Sequence, residues 1–277
     1  MTYDKVFVIG AGSMAEAFIR GVTGAGVVRP TDIRVINRSR ADRLKHVVDT
    51  YGVVAADGYA DAAGAALVVL AVKPADVAEA LLRVAPHLNQ ALLLSFAAGV
   101  NQGYIRERCP SVRTVRAMPN LPVAVRNGVT AVAFGDETTP SDKEYIHTLL
   151  NALGAVVELP EHLMDAATAV SGSGPGFLCY ILEGMETAAA KLGLAPELAR
   201  IMLIQTMVGT ARTLAEWDVS PETLRQRVTS PHGTTEAGVK QLDSGYVRGY
   251  VYEAVLAAAA RAAEMGKSYL PAQTAAE

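Results

Sequence analysis

The sequence Gly10-Ala-Gly-Ser-Met-Ala15 decides the fold, because it ends a strand-like run that begins at Lys5 and opens a helical pattern. A G-x-G-x-x-A spacing between a strand and a helix is typical of dinucleotide-binding Rossmann units. Gly10 permits the tight turn, Gly12 lets a pyrophosphate approach the backbone, and Ala15 lets the helix pack closely on the strand. The amide groups and dipole at the helix start favour an anion. The alternative is an ordinary glycine turn.

Around this motif, the first 160 residues alternate short apolar or β-branched runs with helical patterns, which predicts a parallel sheet built from βαβ units. The predicted strands are residues 5–10, 32–36, 67–72, 92–95, 114–116, 129–134 and 155–159. Residues 67–72 are apolar throughout, as in a central strand covered by helices on both faces. We therefore expect an α/β fold whose first domain, residues 1–160, is a Rossmann-type parallel sheet domain.

The pattern changes after Pro160 to long stretches rich in Ala, Leu and Met, which predicts an all-helical second domain over residues 161–277. Ala195-Pro-Glu197 is a helix start, and we expect that helix to continue to about residue 215. Residues 246–267 form the last predicted long helix. The Ala- and Met-rich faces exceed what one chain can bury, so we expect a dimer.

Composition and charge exclude several classes of protein. Charged residues are 19% of the 277 residues and the net charge is −3, so we expect no nucleic-acid partner and no anionic membrane partner. Cys109 and Cys179 have no C-x-x-C spacing, and the five histidines show no H-E-x-x-H spacing, so we expect no metal. The uncharged stretch 166–182 contains Gly, Pro and Ser and is not expected to span a membrane. The start of the chain lacks the layout of a signal peptide, and we expect a cytoplasmic protein.

The loop after the second predicted strand bears on cofactor choice. Asn37-Arg-Ser-Arg40 stands where an NAD site usually has a carboxylate for the ribose hydroxyls. Two guanidinium groups there favour a 2′-phosphate, and therefore NADP over NAD. If Arg38 and Arg40 are instead solvated charges at a helix start, NAD would bind about as well. Leu70-Ala-Val-Lys-Pro74 and Ser95-Phe-Ala-Ala-Gly99 end two further strands at the edge where such sheets bind ligands.

Two segments of the second half are unusual for a helical bundle. Ser171-Gly-Ser-Gly-Pro-Gly176 interrupts an apolar helical pattern; its structural alternative is a helix-to-helix turn with a Ser cap. Val228-Thr-Ser-Pro-His-Gly-Thr-Thr-Glu236 precedes a predicted helix over residues 235–242 and is rich in amides and hydroxyls that suit a carboxylate. The spacing alone favours a capped helix start over a binding site.

Six motifs, spread over almost the whole chain, resemble those of the 1-pyrroline-5-carboxylate reductases and occur in that family's order. They are Gly10-Ala-Gly-Ser-Met-Ala15, Ala71-Val-Lys-Pro74, Ser95-Phe-Ala-Ala-Gly-Val100, Arg116-Ala-Met-Pro-Asn120, Ser171-Gly-Ser-Gly-Pro175 and Val228-Thr-Ser-Pro-His-Gly-Thr-Thr-Glu-Ala-Gly-Val-Lys-Gln-Leu-Asp243. The last is the most specific, because a dinucleotide fingerprint occurs in many unrelated enzymes.

The resemblance implies an NADPH-dependent, often NADH-capable, reductase of 1-pyrroline-5-carboxylate, acting by hydride transfer in the last step of proline synthesis. It implies a helical dimerisation domain and dimers that assemble further into decamers. It assigns Ser230, Gly233, Thr234 and Thr235 to the substrate, with Thr235 also the catalytic group at the ring nitrogen. The cofactor residues that it implies are Gly10, Gly12, Ser13, Met14, Asn37, Arg38, Val72, Lys73, Ala97, Ala98 and Asn120.

Three positions depart from the family pattern: Phe177 stands where tyrosine is common, His232 where glycine is usual, and Leu121 where threonine is common. Two other functions stay open. One is another Rossmann reductase of imines or β-hydroxyacids, for which Lys191 and Lys240 are candidate catalytic lysines, although neither lies in a matching motif. The other is a non-catalytic NADP sensor.

Overall fold

A computed structural model describes residues 5–270 of the chain. Its strands are β1 Val6–Ile9, β2 Ile33–Ile36, β3 Val54–Ala55, β4 Leu67–Leu70, β5 Leu92–Ser95, β6 Arg113–Pro119, β7 Gly128–Phe134 and β8 Gly154–Glu158. In this part of the chain they form one sheet in the order β3-β2-β1-β4-β5-β6-β7-β8. Each predicted strand is present within a few residues of its predicted bounds, and β3 is an additional one.

The strands pair in parallel everywhere except between β6 and β7, which are antiparallel. The prediction of a fully parallel sheet is therefore wrong for this one pair of strands. The connection from Pro119 to Gly128 is a single short helical turn, and a parallel crossover needs a dozen or more residues. The chain must therefore turn back beside β6. Asn120 fixes that turn, since its side-chain oxygen accepts a hydrogen bond from the Val129 amide at 3.0 Å.

Helices cover both faces of the sheet, as the apolar central strand predicted. They are α1 Ser13–Gly24, α2 Ala41–Tyr51, α3 Val77–Val84, α4 Gln102–Arg108, α5 Pro140–Asn151 and α6 Met164–Ala167. Side chains of β4 alternate between two core layers, with Leu67 and Val69 in one and Val68 and Leu70 in the other, all of them fully buried. The Rossmann-type fold class is thus confirmed.

The remaining helices are α7 Gly174–Lys191, α8 Pro196–Trp217, α9 Pro221–Arg227, α10 Thr234–Ser244 and α11 Val247–Gly266. Contacts divide the chain into two compact units. The sheet unit holds the chain up to Ser173 together with the segment from Ala258 onwards, and the helical unit is Gly174–Ala257.

The sheet unit thus ends later than the predicted boundary near Pro160. Met164 explains why, because it is fully buried against Ala131 and Ala133 of β7. Ion pairs of the buried Arg116 add to this: its guanidinium lies 3.3 Å from the partly exposed Asp165 carboxylate and 3.6 Å from that of Glu161. The segment that begins at Ser171 does not start with a helix-to-helix turn. Residues 168–172 instead form a π-helix directly before α7.

The helical unit exposes many large apolar side chains in the single chain. Their exposed fractions include 53% for Leu178, 66% for Ile201 and 59% for Met202. Among residues 5–270, no helix is long and apolar enough to cross a membrane.

Candidate functional site

The glycine-rich loop between β1 and α1 has the backbone that its sequence predicts. Gly10 has a φ of +113°, and a Cβ added there would lie 2.5 Å from the carbonyl oxygen of Ala71. A Cβ on Gly12 would meet nothing within 4 Å, so the space beside this residue is open. Ala15 is fully buried between the helix and the sheet. The three small residues therefore have the turn, open-approach and packing positions expected of them.

The start of α1 is free to bind an anion. Gly12 occupies its N-cap position, and among residues 5–270 no side chain caps the helix. The amides of Ser13 and Met14 begin the helix and have no intrahelical partner by geometry. These amides and the positive end of the helix dipole favour a phosphate group at this point.

A cavity of about 330 Å³ runs along this loop. It is lined by Gly10, Ala11, Gly12, Ser13, Asn37, Ser39, Arg40, Arg43, Ala71, Val72, Lys73 and Asp76. A smaller adjoining cavity adds Ile9, Ile36, Arg38, Tyr59, Glu79 and Ala80. Seven of the predicted cofactor residues therefore lie together along one surface.

Four other predicted cofactor residues do not line these cavities. Met14 packs partly buried against the core, and Ala97 is buried in the other core layer beside the half-buried Ala98. The loop that holds Ala97 and Ala98 continues to Gly99, which has a φ of +75°, and a Cβ there would lie 3.2 Å from the Gly266 amide nitrogen. Asn120 uses its side-chain oxygen in the turn between β6 and β7.

Asn37 ties the glycine-rich loop to the loop after β2. Its side-chain oxygen accepts a hydrogen bond from the Ala11 amide at 3.3 Å, and its amide group donates to the Arg40 carbonyl at 2.9 Å. Arg43 reinforces this link by donating to the Ala11 carbonyl at 3.3 Å. The loop is therefore held in shape by side chains from the second βα unit.

Glu16 holds Arg43 in place, a contact that the sequence analysis missed. Its carboxylate forms an ion pair with Arg43 and lies 3.1 Å from the Tyr51 hydroxyl and from Nε2 of His46. Burial tends to raise the pKa of Glu16, but the hydrogen bonds from Arg43, His46 and Tyr51 outweigh it and lower that pKa. Glu16 therefore stays ionised and anchors α2 on α1 beside the glycine-rich loop.

Arg38, predicted to bind a 2′-phosphate, already has two partners. Its guanidinium lies 2.7 Å from the Asp76 carboxylate and forms a second ion pair with Glu79. Both acids follow β4 in the chain, 38 and 41 residues from Arg38. The negative charges of Glu79 and Asp76 raise the pKa of the Arg38 guanidinium. The sequence of the loop after β2 could not reveal these acids, because they lie in a different part of the chain.

The second candidate region is the loop from α9 to α10 in the helical unit. Gly233 is the N-cap residue of α10, with no side-chain cap, and its amide donates to the Ser230 carbonyl at 3.0 Å. A Cβ on Gly233 would lie 2.5 Å from Ser230 Oγ. A side chain at position 233 would therefore require the Ser230 hydroxyl to move away from the helix start.

Three hydroxyls surround this helix start. Ser230 and Thr234 are exposed, and Thr235 is half-buried. Within the part of the chain that the structure describes, none of the three hydroxyls has a hydrogen-bond partner. The structure therefore brings together the hydroxyls and amides that the sequence assigned to a carboxylate.

His232 has a left-handed backbone in this loop, with a φ of +60°. Its amide donates to the Glu236 carboxylate at 2.9 Å, and this bond and Lys240 lower the pKa of Glu236. A left-handed residue is most easily glycine, the residue that the resemblance led us to expect. The histidine thus keeps a glycine-like backbone.

Comparisons with known proteins agree with this geometry. A family model described as pyrroline-5-carboxylate reductase dimerisation matches residues 161–265, and one described as NADP oxidoreductase, coenzyme F420-dependent, matches residues 5–99. Pyrroline-5-carboxylate reductase 2 of Bacillus subtilis is 34% identical over 270 residues, covering 96% of each chain. The pyrroline-5-carboxylate reductase of Synechocystis is 36% identical and covers 94% of this chain and 97% of that protein.

Solved structures give the same result. A pyrroline-5-carboxylate reductase from Coxiella burnetii superposes with a TM-score of 0.86 at 35% identity, covering 95% of this chain and 99% of that one. A Plasmodium falciparum pyrroline carboxylate reductase with NADP bound gives a TM-score of 0.88 at 27% identity, covering 96% and 99%. Both units of the chain thus have counterparts in proteins of similar length.

Proposed function

The chain belongs to the pyrroline-5-carboxylate reductase family, and we propose that the start of α10 holds the substrate carboxylate in this enzyme. It is an NAD(P)H-dependent oxidoreductase that reduces 1-pyrroline-5-carboxylate to L-proline. NADPH is its cofactor, as the sequence predicted. The residue roles below are proposals for this chain.

The observation that supports the carboxylate site is the set of free donors around α10. The hydroxyls of Ser230, Thr234 and Thr235 stand at an uncapped helix start, where the first amides also need partners. A carboxylate accepts several such hydrogen bonds at once and is favoured by the positive end of the helix dipole. Gly233 keeps Ser230 close to this point. The site therefore suits a small anionic substrate.

Hydride transfer to the imine needs alignment more than acid strength. NADPH supplies the hydride, which reduces the ring carbon of the carbon–nitrogen double bond. With the carboxylate fixed by Ser230 and Thr234, the Thr235 hydroxyl holds a proton at the ring nitrogen through a hydrogen bond. The substrate reacts as the imine protonated by solvent, so hydride addition to the ring carbon leaves a neutral secondary amine and the threonine loses no proton. Positioning of this kind, with dipoles already in place, accounts for large rate enhancements.

On the cofactor side, the open space at Gly12 and the amides of Ser13 and Met14 would hold the pyrophosphate. Asn37 and Arg38 would bind the adenosine ribose and its 2′-phosphate. Val72, Lys73, Ala97 and Ala98 follow β4 and β5, and we place the nicotinamide end beside them because ligands bind at the carboxyl ends of such strands. The role of Asn120 in binding the cofactor stays a prediction.

The test of the substrate site compares Thr235→Ala with Thr235→Ser and with Thr148→Ala, an exposed threonine of α5 in the sheet unit. We expect Thr235→Ala to lower kcat/KM about 10- to 100-fold, the effect of losing a hydrogen bond to a charged group. Thr235→Ser retains most activity because the hydroxyl remains. NADPH oxidation is followed by absorbance with 1-pyrroline-5-carboxylate supplied.

Ser230→Ala and Thr234→Ala are expected to act mainly on the KM for the substrate, since both hydroxyls hold its carboxylate. Thr148→Ala should leave both kinetic constants unchanged. If Thr235→Ala keeps wild-type kcat and KM while the protein still binds NADPH, the assignment of this loop is wrong.

The chain carries the family's dimerisation domain, and we propose a homodimer that assembles further into a decamer. The apolar side chains exposed along α7 and α8, such as Leu178 and Ile201, support an interface in the helical unit. Light scattering coupled to size exclusion measures the mass directly, and a stable monomer at micromolar concentration would contradict the proposal.

We also propose a cytoplasmic location. We propose further that the functional halves divide near residue 160, where the match to the dimerisation family begins, although the compact sheet unit extends to Ser173. Cys109 and Cys179 are both free thiols, which suits a reducing compartment. Cell fractionation tests the location. Limited proteolysis with fragment mapping tests the division.

A further inference from the structure

The strongest observation beyond these roles is the pairing of Arg38 inside the cofactor cavity. Its guanidinium binds two carboxylates at once, with Asp76 at 2.7 Å and Glu79 on another nitrogen. Glu79 is itself held by Arg83, whose guanidinium lies 2.7 Å from its second oxygen. Arg83 in turn lies over the Tyr59 ring, 5.8 Å from its centroid. Glu79 is therefore held in place beside Arg38.

These acids line the cavities together with the residues that would meet the adenosine ribose. Asp76 borders both cavities with Asn37 and Ser39, and Glu79 borders the smaller one with Arg38. Arg40, the other arginine of the loop after β2, is paired with Asp42 at 2.6 Å. The two arginines that the sequence offered to a 2′-phosphate are thus both paired with carboxylates of this chain.

We propose that Asp76 and Glu79 reduce the preference of this enzyme for NADPH over NADH, because a 2′-phosphate must compete with both carboxylates for Arg38. A 2′-phosphate carries close to two negative charges and would approach two more on the acids. NADH has an uncharged hydroxyl at that position, so its binding does not require Arg38 to leave the two carboxylates. The acids therefore narrow the preference for NADPH over NADH that Arg38 creates. This inference rests on the proposed placement of the cofactor.

The expected change in affinity for the 2′-phosphate depends on how exposed the three charged side chains are. The side chains of Arg38, Asp76 and Glu79 are 45%, 37% and 38% exposed, so water and salt screen their charges. Removing one of the two negative charges should therefore tighten binding of the 2′-phosphate about two- to fivefold, in line with the contributions of partly exposed ion pairs. The effect should diminish as ionic strength rises.

The experiment measures equilibrium binding by calorimetry with 2′,5′-ADP and 5′-AMP, which differ only in the 2′-phosphate, and repeats it with NADPH and NADH. The variants are Glu79→Gln, Asp76→Asn and Arg38→Ala. Asp49→Asn is the matched control, because it removes one charge from an exposed pair with Lys45 on α2 outside both cavities.

We expect Glu79→Gln and Asp76→Asn to raise the affinity for 2′,5′-ADP and NADPH by the factor given above. The affinity for 5′-AMP and NADH should change by less than about twofold. The control should leave all four ligands unchanged. If both acid variants bind 2′,5′-ADP as wild type does, or more weakly, while Arg38→Ala weakens it, the specificity role is wrong. If Arg38→Ala leaves 2′,5′-ADP affinity unchanged, the proposed cofactor placement is wrong as well.

Discussion

Replacing each glycine of the β1–α1 loop by alanine separates the folding role of this loop from its binding role. At Gly10, a methyl group would lie 2.5 Å from a backbone oxygen, and the φ of +113° is unfavourable for any residue with a side chain. A positive φ alone costs an L-residue about 1–2 kcal/mol, and a fixed backbone clash adds a similar amount. We therefore expect Gly10→Ala to lose about 3 kcal/mol of stability.

Gly12→Ala should behave in the opposite way. Its φ of −75° is ordinary for alanine, and the new methyl group would meet nothing within 4 Å. The loss of a glycine N-cap and the gain from a stiffer unfolded chain nearly cancel, so stability should change by less than about 1 kcal/mol. The methyl group does occupy the space proposed for the pyrophosphate, so NADPH should bind at least about tenfold more weakly, a loss near 1.4 kcal/mol.

Thermal unfolding followed by circular dichroism, without cofactor and at equal protein concentration, measures the first effect. For a chain of this size, about 3 kcal/mol lowers Tm by roughly 6–12 °C. NADPH fluorescence titration measures the second effect. A Gly10→Ala protein with the wild-type Tm, or a Gly12→Ala protein with wild-type NADPH affinity, would refute the reasoning.

Three further predictions rest on other contacts. Asp142 accepts a two-point ion pair from Arg113, at 2.8 and 3.1 Å, and caps α5 through Thr139; although burial raises its pKa, these bonds outweigh it and lower that pKa. Its contribution is therefore present at neutral pH and lost on acidification through the lowered pKa. Asp142→Asn should cost about 1–3 kcal/mol in urea unfolding at neutral pH, and a difference from wild type that does not shrink in acid would contradict this. Met164→Ala, which empties a fully buried site, should cost about 2–4 kcal/mol in the same assay, and a loss below about 1 kcal/mol would show that Met164 does not anchor the sheet unit. Burial raises the pKa of the Cys109 thiol to about 11, so this cysteine should react with a thiol reagent only after unfolding, and mass spectrometry of labelled peptides should show it unmodified in the native enzyme.

The sequence predicted most strands of the sheet, because whether a segment forms a strand depends largely on residues that are adjacent along the chain. The apolar run 67–72 indicated a central strand, and Leu67–Leu70 is fully buried. Val54–Ala55 was missed because two residues are too few for a periodic signal. The antiparallel pairing of β6 and β7 depends on the length of their connection, which a reading of strand patterns alone does not weigh.

The site was predictable to the extent that its chemistry lies in continuous segments. Gly10-Ala-Gly-Ser-Met-Ala15 and the loop before α10 each bring their own backbone and side chains together. The partners of Arg38 do not follow this rule, since Asp76 and Glu79 lie 38 and 41 residues away and meet it only after β1, β2 and β4 pair. The same holds for Glu16 and Arg43, which belong to different helices.

The return of the chain to the sheet unit from Ala258 onwards makes that unit discontinuous in sequence. Tyr269 packs edge-to-face on Tyr104 of α4, with ring centroids 5.3 Å apart, and α11 ends beside Gly99. During translation, the first 173 residues leave the ribosome before the whole helical unit is made. The nascent sheet unit therefore lacks its cover over Tyr104 until Tyr269 emerges, and a premature stop within α11 would damage the unit that was synthesised first.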